Sequence, residues 1–280
     1  MKDKNKQKEV LQQEVKELIA THINNKNESQ EKLAENIGVS NGTISNVLNE
    51  QWERLSDTML LKLRSFFKKK GWQLIETTNF LNIQNQCDKA RYQNLLVGII
   101  GYSGAGKTTA LRTYYQANPS TYLVTCARTM RTKQFLAEVL RALGSSYLAS
   151  DYEMVRKIIS KLNKMHSPLL IIDEASKLSP NALMYLQDIW DGVEDNAGII
   201  IAGVEYLLTN LKKASDKNKI GMPEFYGRVS SWMQLVSPTR VEIRSIAENN
   251  GITSEKEIKN MYRLSNFRYV RNSILNIINQ

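Results

Sequence analysis

Apolar residues recur at helical spacing through the first part of the chain and change to short unbroken runs beyond residue 95. Val10, Leu11, Val15, Leu18, Ile19 and Ile23 predict an amphipathic helix over 6–24, broken by Asn24-Asn25-Lys26-Asn27. Ser29 stands as an N-cap before a short helix with Leu33, Ala34 and Ile37 on one side. Gly38 suits the left-handed turn after it, and Ser40 caps a third helix over 41–49. A fourth helix follows Ser56, with Met59, Leu60, Leu63, Phe66 and Phe67 inward, and Lys68-Lys69-Lys70 closes on Gly71. Between 72 and 94 the pattern loosens into Asn/Gln-rich sequence that reads as a connector approaching the site downstream. Strand-like runs then occupy 95–100, 122–126, 169–172, 199–202 and, more weakly, 232–236, with helical stretches between them. That alternation predicts a mainly parallel sheet covered on both faces. After Pro238 the chain reads helical over 241–248, 254–264 and 266–278.

Composition narrows the picture only at two points. No apolar stretch approaches the roughly 20 residues that span a bilayer, the basic N-terminus carries no signal-peptide core, and Cys87 and Cys126 stand apart. The expectation is a cytoplasmic protein with no membrane partner, disulfide framework or zinc site. The net charge of +10 favours nucleic acid as a partner only if an element that contacts DNA is also present.

The candidate chemistry begins directly behind the run 95–100. Gly101-Tyr102-Ser103-Gly104-Ala105-Gly106-Lys107-Thr108 is a complete G-x-x-x-x-G-K-[ST] loop, with Thr109 continuing into a helix. Backbone N–H groups and a helix N-terminus then wrap phosphates, Lys107 reaches the β- and γ-phosphates, and the Thr108 hydroxyl goes to Mg²⁺. A second element, Leu169-Leu170-Ile171-Ile172-Asp173-Glu174, ends a buried strand in two acids. Asp173 is placed to hold Mg²⁺ through water, and Glu174 to orient or deprotonate an attacking water. The strand at 122–126 falls between the two elements along the chain, the layout of the additional-strand ATPases, AAA+ proteins among them. No Asn-Lys-x-Asp is present to read guanine, so ATP is the expected nucleotide.

The stretch 29–49 resembles the phage-repressor helix-turn-helix family through Gln30, Leu33, Ala34, Gly38, Val39, Ser40, Ile44, Ser45 and Leu48. Its third helix leaves Asn41, Thr43, Ser45 and Asn46 for phosphates and base edges. It has no Arg or Lys for reading guanine, so weakly specific or non-specific binding of duplex DNA is expected.

Taken together, 29–49, 101–108, 169–174 and the stretch 238–252 make the chain similar to the phage Mu B-type transposition ATPases, with the TnsC and IstB proteins over the ATPase part. The resemblance implies an α/β P-loop AAA+ sheet over 95–238 and a small helical lid over 239–280. An all-α helix-turn-helix domain over 1–72 and a linker over 73–94 would precede them. In such ATPases a polar first sensor follows the next strand, where this chain has Val204-Glu205. A trans-acting arginine, here Arg228, precedes the last strand, and a second-sensor arginine, here Arg268 rather than Arg271, opens a lid helix. The segment 127–133 would face DNA through Arg128, Thr129, Arg131, Thr132 and Lys133. The implied activity is that of a DNA-stimulated ATPase that forms filaments or rings on target DNA, selects it and recruits a transposase. Hydrolysis would dismantle the assembly, in a bacterium or a mobile element. A replicative helicase loader and an ATP-gated transcription regulator share enough of these features to stay open as alternatives.

Overall fold

The computed structural model describes residues 2–26, 29–67 and 74–278, and the chain divides after residue 73 into two compact units. The triplet Lys68–Lys70 with Gly71 lies outside the described residues, as do Asn27 at the expected helix break and the side chain of Phe67.

The N-terminal unit is all-helical: α1 (Lys2–Lys26), α2 (Gln30–Ile37), α3 (Asn41–Leu48) and α4 (Asp57–Phe67). Its core is Val15, Ile19, Leu33, Ile44, Val47, Leu60 and Leu63, all fully buried. The short helices are delimited by local chemistry. Ser29 and Ser40 accept hydrogen bonds from the N–H groups of Lys32 and Thr43, and Gly38 turns at φ 72°. The capping serines satisfy donors that an eight-residue helix would otherwise leave open.

The second unit is the parallel α/β structure that the alternation of runs predicts. Its elements are α5 (Thr78–Tyr92), β1 (Leu96–Ile100), α6 (Lys107–Ala117), β2 (Thr121–Thr125), α7 (Thr132–Ala142), α8 (Asp151–Leu162) and β3 (Leu169–Asp173). They continue through α9 (Pro180–Asp191), β4 (Gly198–Gly203), α10 (Glu205–Asp216), α11 (Met222–Arg228) and β5 (Ser231–Gln234). The helices α12 (Arg240–Asn249), α13 (Glu255–Met261) and α14 (Phe267–Ile278) follow. The strand order is β2-β3-β4-β1-β5, with every pairing parallel.

Strands β1, β3 and β4 are buried on both faces, which is why they read as continuous apolar runs. Leu96, Ile100, Leu170, Ile172, Ile199 and Ile201 point to one face and pack under α7–α11. Val97, Ile99, Leu169, Ile171, Ile200 and Ala202 point to the other, under α5 and α6. The strand at 121–125 precedes β3 in sequence but pairs on its outer side. It is β4 that stands between β1 and β3.

Residues 78–92, expected within a connector, instead form helix α5. Its buried apolar stripe is only Ile83, Cys87 and Ala90, set at helical spacing among Asn and Gln, so the apolar period is faint. Thr77 caps the helix by accepting from the Phe80 N–H at 3.2 Å. The helix lies so close to β4 that a Cβ on Gly198 would stand 2.3 Å from the Ala90 carbonyl oxygen. Gly198→Ala is therefore expected to cost about 1–3 kcal/mol, measured as a lower urea midpoint of the full chain by circular dichroism. An unchanged midpoint would contradict that packing.

Candidate functional site

The site forms where β1 and β3 end on the same edge of the sheet. The loop after β1 turns at Gly104 (φ 91°) and Gly106 (φ 90°), conformations that L side chains rarely adopt. A Cβ on Gly104 would also meet the Arg268 Cβ at 2.9 Å and the Asn266 Oδ1 at 3.0 Å. The loop and the start of α14 are thus in direct contact, and the Arg268 Nη1 donates to the Ser103 Oγ at 3.1 Å.

Lys107, the first residue of α6, is buried. Its Nζ donates to the carbonyls of Gly101 (2.6 Å) and Tyr102 (3.0 Å). Desolvation lowers its pKa, opposed by the charges of Glu174, Asp173 and Glu205. The Thr108 hydroxyl donates to the Asp173 Oδ2 at 2.8 Å, and the Glu174 N–H donates to the Asp173 Oδ1 at 2.9 Å. Phosphate loop and acidic strand end are therefore joined by a hydrogen bond. Burial raises the Asp173 pKa above its ordinary value, and the Thr108 and Glu174 bonds oppose the rise.

Glu174 is half-buried and sits at φ 58°, a left-handed conformation unusual outside glycine and often met at functional sites. It opens the short 3₁₀ turn Ala175–Lys177, and its Oε2 lies 3.4 Å from the Lys177 Nζ. Thr109 is exposed on α6, and Ala105 within the loop is buried.

The Val204 N–H, at the end of β4, donates to the Ser176 Oγ at 2.9 Å, and Glu205 is exposed at the start of α10. Arg228 makes a different set of contacts: its Nε donates to the Asp191 Oδ1 on α9 at 2.5 Å, and its Nη1 to the Glu224 carbonyl at 3.2 Å. Arg128, Thr129, Arg131 and Lys133 are exposed beyond β2, and Thr132 is half-buried. In the N-terminal unit Asn41 is exposed, while Thr43, Ser45 and Asn46 are half-buried. The Thr43 and Ser40 hydroxyls are hydrogen-bonded at 2.9 Å, and the Asn49 Nδ2 donates to the Ser45 Oγ at 3.2 Å.

Sequence reasoning passed over four residues around this site: Asn79, Ser176, Lys177 and Glu242. Only Glu242 carried a readable signal, the capping box Thr239-x-x-Glu242 that the structure displays in full.

Hard oxygen donors at one point, a hydroxyl and a buried carboxylate, suit Mg²⁺ with water completing its shell. The side-chain-free turn at Gly104 and the N-terminus of α6 suit phosphate. The electrostatics carry a stability consequence. Because its pKa is raised, Asp173 keeps its proton in the folded chain at pH values where the unfolded chain has lost it. Its contribution is fully present below about pH 4 and is lost as pH rises through its folded value. At pH 7 the ionised group opposes folding, so Asp173→Asn is expected to raise Tm there, and to raise it less at about pH 4. Calorimetry at both pH values checks this; a lower Tm at pH 7 would contradict it.

An AAA domain family model matches residues 90–211, from the end of α5 through most of α10. The Mu-like prophage FluMu DNA transposition protein B of Haemophilus influenzae is 24% identical over 246 residues, covering 84% of this chain and 85% of its own. The ATP-dependent target DNA activator B of Escherichia phage Mu is 20% identical over 259 residues, covering 88% and 81%. Among solved structures, the ORC2 protein of Aeropyrum pernix superposes with a TM-score of 0.52 at 15% identity. It is matched over 72% of this chain but only 61% of its own, a likeness of fold alone. Among the described residues no helix is long and apolar enough to cross a membrane. Over most of its length the chain is thus similar to transposition proteins of the Mu B type, and its residues 90–211 match an AAA domain.

Proposed function

We propose that this chain is an ATP-dependent, largely non-specific DNA-binding ATPase that assembles on duplex target DNA and presents it to a transposase. The observation that carries the proposal is the convergence of Lys107, Thr108, Asp173 and Glu174 at one edge of the sheet. The similarity to a phage Mu protein named an ATP-dependent target DNA activator supports the biological setting.

In this mechanism Lys107 exchanges its two loop carbonyls for the β- and γ-phosphates of ATP. Thr108 and Asp173 would hold Mg²⁺, which would neutralise phosphate charge and help orient the triphosphate. The loop backbone from Gly101 to Thr108, with Thr109, supports the nucleotide, and Arg268 reaches it from α14. Glu174 positions water and accepts its proton as the γ-phosphoryl group is transferred. The strained backbone and the Lys177 contact fix where that carboxylate points.

Arg228 would act on the site of a neighbouring copy, trading the Asp191 carboxylate for a phosphate. Both ends of that exchange are anionic and its pair is half-exposed, so screening by water keeps the cost of release small. Nucleotide between copies would then hold a filament or ring together, and hydrolysis would loosen it. Arg128, Arg131 and Lys133, with the hydroxyls of Thr129 and Thr132, would follow the phosphate backbone. The short polar residues of α3, Asn41, Thr43, Ser45 and Asn46, would add contacts with little base selectivity. The net charge of +10 favours an anionic partner such as DNA.

Removing the base should separate binding from release. Glu174→Gln is expected to retain ATP and duplex-DNA binding while slowing departure from DNA by about tenfold or more. The measurement is dissociation into excess competitor DNA after ATP is bound. Departure at the wild-type rate would contradict the coupling of hydrolysis to disassembly.

A further inference from the structure

Asn79, the second residue of α5, is a polar side chain with only 2% of its surface exposed. Its Nδ2 donates to the Ala105 carbonyl at 3.3 Å and to the Val236 carbonyl at 2.8 Å, and its Oδ1 accepts from the Val236 N–H at 3.1 Å. One amide thus spans two segments that otherwise belong to different parts of the unit. Ala105 lies in the phosphate loop, and Val236 lies in the segment that leads from β5 to α12.

The same two segments are joined again nearby. The Tyr102 hydroxyl donates to the Val236 carbonyl at 3.1 Å. One residue before Asn79, the Thr78 N–H donates to the Glu242 Oε1 at 2.7 Å. The Glu242 Oε2 accepts from the Thr239 N–H at 2.7 Å, so the carboxylate also caps α12. Loop, α5 entry and lid hinge are therefore tied at Asn79, Tyr102 and Glu242. The Asn79 bonds, buried or part-buried, resist independent movement because breaking one strands a polar group away from water, while the exposed bonds of Tyr102 and Glu242 add to the tie.

We propose that Asn79 is a positioning residue that transmits occupancy of the phosphate loop to the hinge of α12–α14. The inference rests on the nucleotide reading above. When phosphate draws Lys107 off the carbonyls of Gly101 and Tyr102, the loop backbone around Tyr102 and Ala105 reorients. Val236 must follow, since its N–H and carbonyl are held by Asn79 and its carbonyl also by Tyr102. The lid helices, anchored through Glu242 to Thr78, then move as the loop moves. Arg268, which already touches Ser103, is carried with them.

The test is hydrogen–deuterium exchange on the full chain with and without the non-hydrolysable ATP analogue AMP-PNP and Mg²⁺. In the wild type, the analogue is expected to slow exchange both at 101–109 and at 236–249. Asn79→Asp keeps the size and the acceptor but turns an oxygen toward two carbonyls. It should preserve slowing at 101–109 and reduce slowing at 236–249 by about tenfold, the scale of the lost hydrogen bonds. Tyr102→Phe, a gentler change, should give an intermediate loss at 236–249 and serves if the aspartate variant does not fold. Wild-type slowing at 236–249 in either folded variant would overturn the proposal. So would loss of slowing at both segments in Asn79→Asp, which would make Asn79 a builder of the loop alone. No slowing at 101–109 in the wild type would remove the nucleotide reading itself, and the coupling with it.

Discussion

Five strands that all run the same way leave their carboxyl ends on one edge, and the candidate chemistry depends on that constraint. The order β2-β3-β4-β1-β5 separates the loop strand from the acidic strand by one strand, β4. At that spacing the Thr108 hydroxyl reaches the Asp173 carboxylate. Parallel pairing in turn requires helical crossovers on both faces, which is what makes the strands continuous apolar runs. The hydrophobic core and the polar site are therefore two results of one topology: the core fills both faces, and the site occupies the edge where backbone groups remain open.

That edge concentrates buried ionisable groups. Lys107 and Asp173 are both buried, and burial pushes each toward its neutral form. Lys107 compensates by capping two carbonyls of its own loop, and Asp173 by accepting from Thr108 and Glu174. Glu174 adds backbone strain at φ 58°. Such groups persist because a rigid core over-determines them, and their unfavourable terms are relieved by ligands of matching charge. The same logic connects the site to the lid, since the loop that would receive phosphate is held to the hinge through Asn79 and Tyr102.

Much of this was legible in the chain because the relevant signals are local. A Gly-rich loop behind an apolar run, four apolar residues ending in two acids, and serines three residues ahead of the N–H groups they cap all declare themselves over a few positions. What was not legible depends on three-dimensional neighbours. The apolar stripe of α5 is only Ile83, Cys87 and Ala90, too few among polar residues to make a clear period, so this helix reads as a connector. Chain order put the strand at 121–125 between the two nucleotide motifs, whereas sheet order puts β4 there. The Ser176 bond to Val204 and the pairing of Arg228 with Asp191 join residues that only the fold brings together.

Electron microscopy of the protein with long duplex DNA, with and without ATP and Mg²⁺, tests the central claim most directly: that nucleotide bound at the Lys107–Asp173 site governs assembly on DNA. The account predicts continuous decoration of the duplex with ATP and Mg²⁺, independent of sequence, and bare DNA when nucleotide is omitted. Decoration that is the same without nucleotide, or a single discrete bound site on the duplex, would contradict it.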